Sequence, residues 1–342
     1  RGVTFWTNEL CPPRDGQLIR IEKPDDANAF TYRDLLFVQL RTEWKTGSRT
    51  YPAGALLASP LEDFLSGEQE FSVLFEPAER TSLAGASPTR RHVLLNELDN
   101  VRNRLSVLAR KDGAWRREPL PGVPSLSSAS AWAVDADKSD DYFLSWSDYL
   151  TPPTLSLGTA GKGPAETLKQ GPAFFNAAGL SISQHEAVSK DGTRIPYFEV
   201  SPNKTTLEGR NPTLLYGYGG FEAPLLPGYN PMAGAAWLER GGVYVVANIR
   251  GGGEFGPKWH QAALKAHRHR AYEDFIAVAE DLIRRRVTSP KNLGIMGGSN
   301  GGLLMGNMLT TRPDLFGGIV CQVPLLDMLR YHQPVSYTHL TL

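Results

Sequence analysis

The sequence predicts two regions: an all-β stretch of short strands, then an α/β fold with a doubly wound, mostly parallel sheet. Three observations predict this. Strand and turn signals fill residues 1–175 with no amphipathic helix pattern of useful length. From about residue 176 strand and helix signals alternate, as a parallel sheet covered on both faces requires. Finally, the glycine-framed turn Gly297-Gly298-Ser299-Asn300-Gly301-Gly302 lies between a predicted strand and a predicted helix.

In the first region β-rich runs fall at 34–40, 70–75, 92–96, 104–109, 131–134 and 142–146. Turn residues such as Lys111-Asp112-Gly113 and Asp137-Lys138-Ser139-Asp140 separate them. Many short strands with regular turns mean a sandwich, barrel or propeller. Trp115, Trp132 and Trp146 near strand ends favour a propeller. A blade takes roughly 40–50 residues, so about three or four blades fit. The Gly- and Pro-rich run 162–179 places the boundary near residue 175.

The second region opens with a hairpin, 184–188 and 195–200, around Asp191-Gly192. Strands are predicted at 212–218, 242–249, 293–296 and 316–323, and helices at 232–240, 272–286 and 301–310. In the middle helix Phe275, Val278, Ala279, Leu282 and Ile283 recur at helical spacing. The run Arg284-Arg285-Arg286 reads as its solvated end, favoured by the helix dipole.

Ser299 in Gly-x-Ser-x-Gly is the candidate nucleophile of an α/β-hydrolase. Such a serine sits on a sharp, strained strand-to-helix turn, where neighbouring side chains must be absent for backbone to pass closely. The helix behind it aims its N-terminal amides at developing negative charge, so the amide of Asn300 is the natural first oxyanion donor. A dinucleotide-binding reading fails because the G-x-G-x-x-G spacing is missing at this turn.

Two further glycine clusters follow predicted strands. Tyr216-Gly217-Tyr218-Gly219-Gly220-Phe221 lies where hydrolases place the second oxyanion donor. Spacing leaves the phenols of Tyr218 and Tyr216, or simple packing, equally open. Arg250-Gly251-Gly252-Gly253-Glu254-Phe255-Gly256 lacks the Gly-Lys-Ser/Thr ending of a phosphate loop, so it reads as a structural loop in which Arg250 and Glu254 pair. His260, His267 and His269 have no ligand partners at metal spacing and read as surface histidines.

Among 342 residues, 36 Lys and Arg balance 36 Asp and Glu, so no net field directs the chain to nucleic acid or anionic lipid. No apolar run is long enough to span a membrane. Cys11 and Cys321 can build neither a disulfide framework nor a zinc site, and Cys321 reads as a buried small hydrophobe. No metal or organic cofactor is expected. A monomer in the cytoplasm is the expectation, with export left open because the chain starts at Arg1 rather than Met.

The three glycine motifs, in this order and spacing, resemble the prolyl oligopeptidase family. So do Trp259-His260, Thr288-Ser289-Pro290 and Arg312-Pro313-Asp314-Leu315-Phe316; the resemblance covers about residues 176–332. It implies a serine peptidase with an α/β-hydrolase domain capped by a seven-bladed propeller that restricts entry to short peptides. By position it implies Ser299 as nucleophile, Asn300 N–H and the Tyr218 hydroxyl as oxyanion donors, and Phe221 near a proline-binding pocket. Asn300 and Gly219-Gly220-Phe221 are closer to the prolyl branch than to oligopeptidase B, whose specificity is for basic residues. An esterase on the same fold, or a non-catalytic propeller scaffold, are the rival readings.

Two departures matter. The triad of this fold runs Ser, Asp, His, yet only 43 residues follow Ser299. Its acid and base are therefore expected beyond the chain, leaving this portion inactive, and Asp327, His332 and His339 are not assigned to them. Residues 335–342 fit no expected continuation and read as a foreign tail, which would bound the hydrolase portion at 176–334.

Overall fold

The computed structural model describes residues 1–14 and 16–330. The tail at 335–342 and the unassigned His332 and His339 lie outside the described residues. The chain divides into two compact units, one of Arg1–Leu83 with Gly256–Lys258 and the segment from Asp327, the other of Ala84–Phe255 with Trp259–Leu326.

In the first unit Asn28–Tyr32, Leu35–Gln39, Leu56–Pro60 and Ser72–Phe75 form a four-stranded antiparallel sheet. Its apolar side chains alternate inward, so Leu36, Val38 and Leu57 share a core with Tyr51 and Phe71. The Tyr51 hydroxyl accepts from the buried Phe71 N–H at 3.1 Å, which satisfies both polar groups.

Two more such sheets follow along the chain. One joins Thr81–Pro88, His92–Asp99, Arg102–Lys111 and Ala114–Pro119; the other joins Ser128–Ala133, Asp141–Ser147, Thr154–Thr159 and Glu166–Gln170. Leu94, Leu105 and Val107 of one pack with Ala131, Tyr142 and Leu144 of the other. Asp140 ties them together, accepting from Thr89 Oγ1 at 2.9 Å, Arg91 N at 2.7 Å and His92 Nδ1 at 3.0 Å. Burial opposes its charge, but the bonds from His92, Arg91 and Thr89 prevail and hold its carboxyl far below the usual range. Three successive four-stranded meanders among the described residues are the blades of a β-propeller.

The remaining sheet has six strands: β1 (Leu180–Val188), β2 (Arg194–Pro202), β3 (Thr213–Tyr216), β4 (Val243–Ala247), β5 (Leu293–Gly298) and β6 (Gly318–Gln322). Their spatial order is β1-β2-β4-β3-β5-β6. The hairpin β1–β2 is antiparallel and joins β4 antiparallel, whereas β4, β3, β5 and β6 run parallel. Helices α1 (Pro231–Ala236), α2 (Pro257–Gln261), α3 (His269–Arg284) and α4 (Asn300–Thr311) connect them.

Every residue of β4 is buried, because both faces of the sheet are covered. Val243, Val245 and Ala247 meet Phe275, Val278 and Leu282 of α3 and Leu304, Met305 and Met308 of α4. Tyr244 and Val246 face the opposite way, into a core with Phe198, Val200 and Leu238.

Three expectations are corrected. Cys321 is exposed, because among the described residues β6 is the last strand of the sheet and has a neighbour on one side only. The predicted helix 232–240 breaks into α1 and a 3₁₀ turn, Leu238–Arg240. The helix-end arginines are not all solvated: Arg285 folds back to Glu199 at 2.7 Å and to the Tyr197 hydroxyl at 2.8 Å.

Candidate active site

The strand order dictates where a site can form. From β3 the chain moves to β4 on one side, and from β4 it crosses back to β5 on the other. In open α/β sheets the crevice beyond the carboxyl ends of strands at such a reversal is where ligands bind. The turn after β3 carries Tyr218 and the turn after β5 carries Ser299, and the two strands pair directly, Tyr216 opposite Met296.

Ser299 has φ 56° and ψ −115°, a conformation an L-residue adopts only under constraint. The constraint is visible in its neighbours. A Cβ on Gly297 would stand 2.5 Å from the Gly301 carbonyl oxygen and 2.9 Å from that of Gly217. One on Gly301 would stand 2.6 Å from the Gly217 oxygen. At Gly298 the nearest atom is 3.7 Å away, so the glycines at the two framing positions are sterically required and the one between is not. The Ser299 amide donates to the Gln322 carbonyl at 3.0 Å, which anchors the turn to β6. Its hydroxyl makes no capping bond to α4. The turn therefore presents the half-buried Ser299 at the N-terminus of a twelve-residue helix, where partial positive charge favours a developing anion.

Asn300 is buried at 7% exposure, and its Nδ2 donates to the Tyr218 carbonyl at 2.6 Å. A Cβ on Gly220 would lie 2.6 Å from the Asn300 Cγ, so the loop presses flat against this amide. The residue after the candidate nucleophile thus grips the loop bearing Tyr218. Tyr216 is committed elsewhere: it packs with Leu214 in the core around Phe198 and Tyr244, and burial raises its phenol pKa. Phe221 is 39% exposed, with φ 54° followed by 56° at Glu222, so the chain turns sharply and leaves the ring accessible.

The expected pairing of Arg250 with Glu254 is wrong. Arg250 is fully engaged with Asp274: its N–H and Nε donate to Asp274 Oδ2 at 3.0 and 2.9 Å, and Nη2 to Oδ1 at 2.6 Å. Nη1 reaches Asp191 Oδ2 at 2.5 Å, and Ser189 Oγ donates to Asp274 Oδ1 at 2.6 Å. Arg250 therefore joins the loop after β4 to α3 and to the β1–β2 turn. Its bond, stronger than the effect of burial, holds the Asp191 carboxyl far below the ordinary range. Glu254 turns inward instead. Its Oε1 accepts from Leu225 N at 3.0 Å and Asn248 Nδ2 at 3.3 Å, and burial outweighs these bonds, pushing its pKa up to about 7. The surface reading of His260 also fails: it is 3% exposed, with Nδ1 2.7 Å from the Gly251 carbonyl oxygen. His267 and His269 are exposed as expected. Asp327 accepts from the Arg330 N–H at 3.2 Å.

Sequence reasoning missed Asp274 as the partner of Arg250. The available signal was an acidic residue on the apolar stripe of α3, one turn before Val278. A charge on a core-facing position needs a partner, and a basic residue at the end of a buried parallel strand can supply one.

Residues 230–341 match the model of the prolyl oligopeptidase family. An uncharacterised peptidase of Sinorhizobium fredii is 45% identical over 339 residues, 97% of this chain and 46% of that protein. A prolyl endopeptidase of Elizabethkingia meningoseptica is 39% identical over 62% of this chain and 30% of that protein. The solved structure of a post-proline cleaving enzyme from Rickettsia typhi superposes with a TM-score of 0.87 at 34% identity, covering 96% of this chain and 48% of that one. The chain thus spans less than half the length of each of these relatives. A propeller followed by an α/β-hydrolase sheet, the strained Ser299 turn and these matches together make the chain similar to the prolyl oligopeptidase family.

Proposed function

We propose that the whole protein is a serine peptidase that hydrolyses short peptides on the carboxyl side of proline. The observation that carries this reading is the left-handed backbone of Ser299 at the β5–α4 junction, beside a loop that Asn300 holds by the Tyr218 carbonyl. In this reading the Ser299 hydroxyl attacks the scissile carbonyl, with a base and an orienting acid from elsewhere in the whole protein. The Asn300 N–H and Tyr218 O–H donate to the oxyanion as it forms, and each such donor is typically worth about 2.7–4 kcal/mol. Phe221 offers an accessible ring to the proline. The relatives' names support the proline preference, and the propeller of the family supports the restriction to short peptides. The reading includes a monomer acting in the cytoplasm, with residues 1–175 as propeller and 176–334 as hydrolase.

The test is turnover of a chromogenic prolyl peptide by the whole protein and by its Ser299→Ala variant, against a simple ester of matched leaving group. Prolyl cleavage that vanishes in Ser299→Ala is expected. Equal turnover by the variant, or ester cleavage without peptide cleavage, would remove the peptidase reading.

A further inference from the structure

Arg268 stands between the last 3₁₀ turn before α3 and the helix itself, and no glycine motif points to it. Its Nη1 donates to the Gly219 carbonyl at 2.5 Å and its Nη2 to Asn300 Oδ1 at 3.2 Å. These acceptors belong to the two loops that carry the candidate oxyanion donors. The guanidinium also lies 5.4 Å from the Tyr272 ring centroid, which gives the stem a fixed direction. A Cβ on Gly251 would stand 2.9 Å from Nη1 and would collide with the Gly219 carbonyl oxygen. Glycine at 251 is therefore what lets Arg268 and the Tyr218 loop pass so closely, and φ 96° there suits glycine.

We infer that Arg268 is a positioning residue that fixes the two halves of the oxyanion site relative to each other. The inference rests on the hydrolase reading above. A guanidinium only donates, so the Asn300 amide must turn Oδ1 toward Arg268, and this leaves Nδ2 facing the Tyr218 carbonyl. The opposite amide orientation would set two donors against each other at Arg268 and two acceptors at Tyr218. One planar fork thus selects the Asn300 orientation and holds the next carbonyl of the Tyr218 loop, at Gly219. The Asn300 N–H and the Tyr218 hydroxyl are carried on the backbone so fixed. Arg268 touches neither substrate nor reacting atoms in this scheme. Arginine suits the role because a lysine ammonium is a compact point charge whose three donors rotate freely, and it cannot hold both acceptors in one fixed plane.

The experiment compares Arg268→Gln, Arg268→Lys, Tyr218→Phe and the double variant Arg268→Gln/Tyr218→Phe in the whole protein, with Ser299→Ala as control. Displacing reacting groups by about 1 Å can cost ~10²-fold, so Arg268→Gln should lower kcat by that order while KM stays within about twofold. Arg268→Lys should fall between parent and Gln, and it is the measurable variant if Gln does not fold. The double variant should fall well short of the product of the two single losses, because both act on the same donor. Binding of a peptide aldehyde, which forms a tetrahedral adduct, should weaken in step with kcat. An unchanged kcat, a loss confined to KM, or losses that multiply would overturn the positioning role. Parent-like turnover by Ser299→Ala would instead overturn the hydrolase reading, so the two failures are distinct.

Discussion

Two glycine-rich stretches at the carboxyl ends of parallel strands of one sheet, Gly297–Gly302 at the end of β5 and Arg250–Gly256 beyond β4, have similar composition and opposite construction. The first is built from sterics. Its framing glycines let backbone carbonyls pass within contact distance, and the strain of the turn is concentrated on Ser299, which is left half-buried. The second is built from charge. Arg250, 4% exposed, and Asp274, fully buried, neutralise each other beneath it, and Glu254 folds inside it. One loop presents a side chain and the other conceals its side chains. Glycine content therefore reports close backbone approach, while the partners decide what that approach is for.

The largest test of this contrast is Ser299→Ala. Removing a serine nucleophile costs on the order of 10⁶ in kcat. Chromogenic peptide turnover by the whole protein should show that loss with little change in thermal midpoint, since the turn is held by its neighbours. Gly297→Ala should lose both activity and stability, read by turnover and by urea unfolding, because its Cβ would meet the Gly301 oxygen at 2.5 Å.

The second loop should fail through stability. Arg250→Ala leaves Asp274 buried and unpaired, and breaking such a pair costs about 3–5 kcal/mol. Urea unfolding should show a lowered midpoint of that size; a loss under 1 kcal/mol would sink the claim that charge holds this loop. Tyr218→Phe should reduce kcat by about 10²–10³-fold and leave the unfolding midpoint unchanged.

Two carboxyls of the second loop's surroundings, Glu254 within it and Asp191 bound to its Arg250, should respond to pH in opposite senses. The Glu254 pKa rises on folding from its ordinary 4.5 to about 7, so the native state holds its proton more tightly than the unfolded chain does. Its contribution is full below pH 4.5 and is lost as pH rises toward 7, by roughly 3 kcal/mol in all. Asp191 is depressed instead, so its contribution is present above the ordinary carboxylate range and fades as pH falls through its folded value. Urea midpoints across pH 4.5–7.5 should slope downward in the parent and flatten in Glu254→Gln. The smallest expected effect is that of Gly298→Ala. With 3.7 Å of room its cost should stay within about 1 kcal/mol, in contrast to Gly297→Ala one residue away.

Legibility followed the range of the interaction. The hairpin β1–β2, the parallel strands β3, β4 and β5 and helices α3 and α4 were readable because hydrophobic period is a local signal and each element buries a face. Strands such as Asn28–Tyr32 and Leu56–Pro60 escaped prediction, since short runs without clean alternation look like loop. The Ser299 turn was readable because its steric demand falls within six consecutive residues. The partners of Arg250 lie 24 and 59 positions away, at Asp274 and Asp191, and those of Arg268 lie 49 and 32 away, at Gly219 and Asn300. No local pattern pairs such residues. The exposure of Cys321 was hidden for a related reason, because burial of a strand depends on whether it has neighbours on both sides.

By itself, then, the sequence determined the β-rich and α/β regions, the glycine-framed turn and its candidate nucleophile, because periodicity and the steric needs of a tight turn are written in adjacent residues. Only the tertiary structure decided that Tyr216 enters the core while Tyr218 sits on the loop held by Asn300, that Arg250 joins Asp274 rather than Glu254, and that Arg268 reaches both loops. Those outcomes depend on which strands become neighbours in the sheet, and strand order is set by the packing of the whole unit.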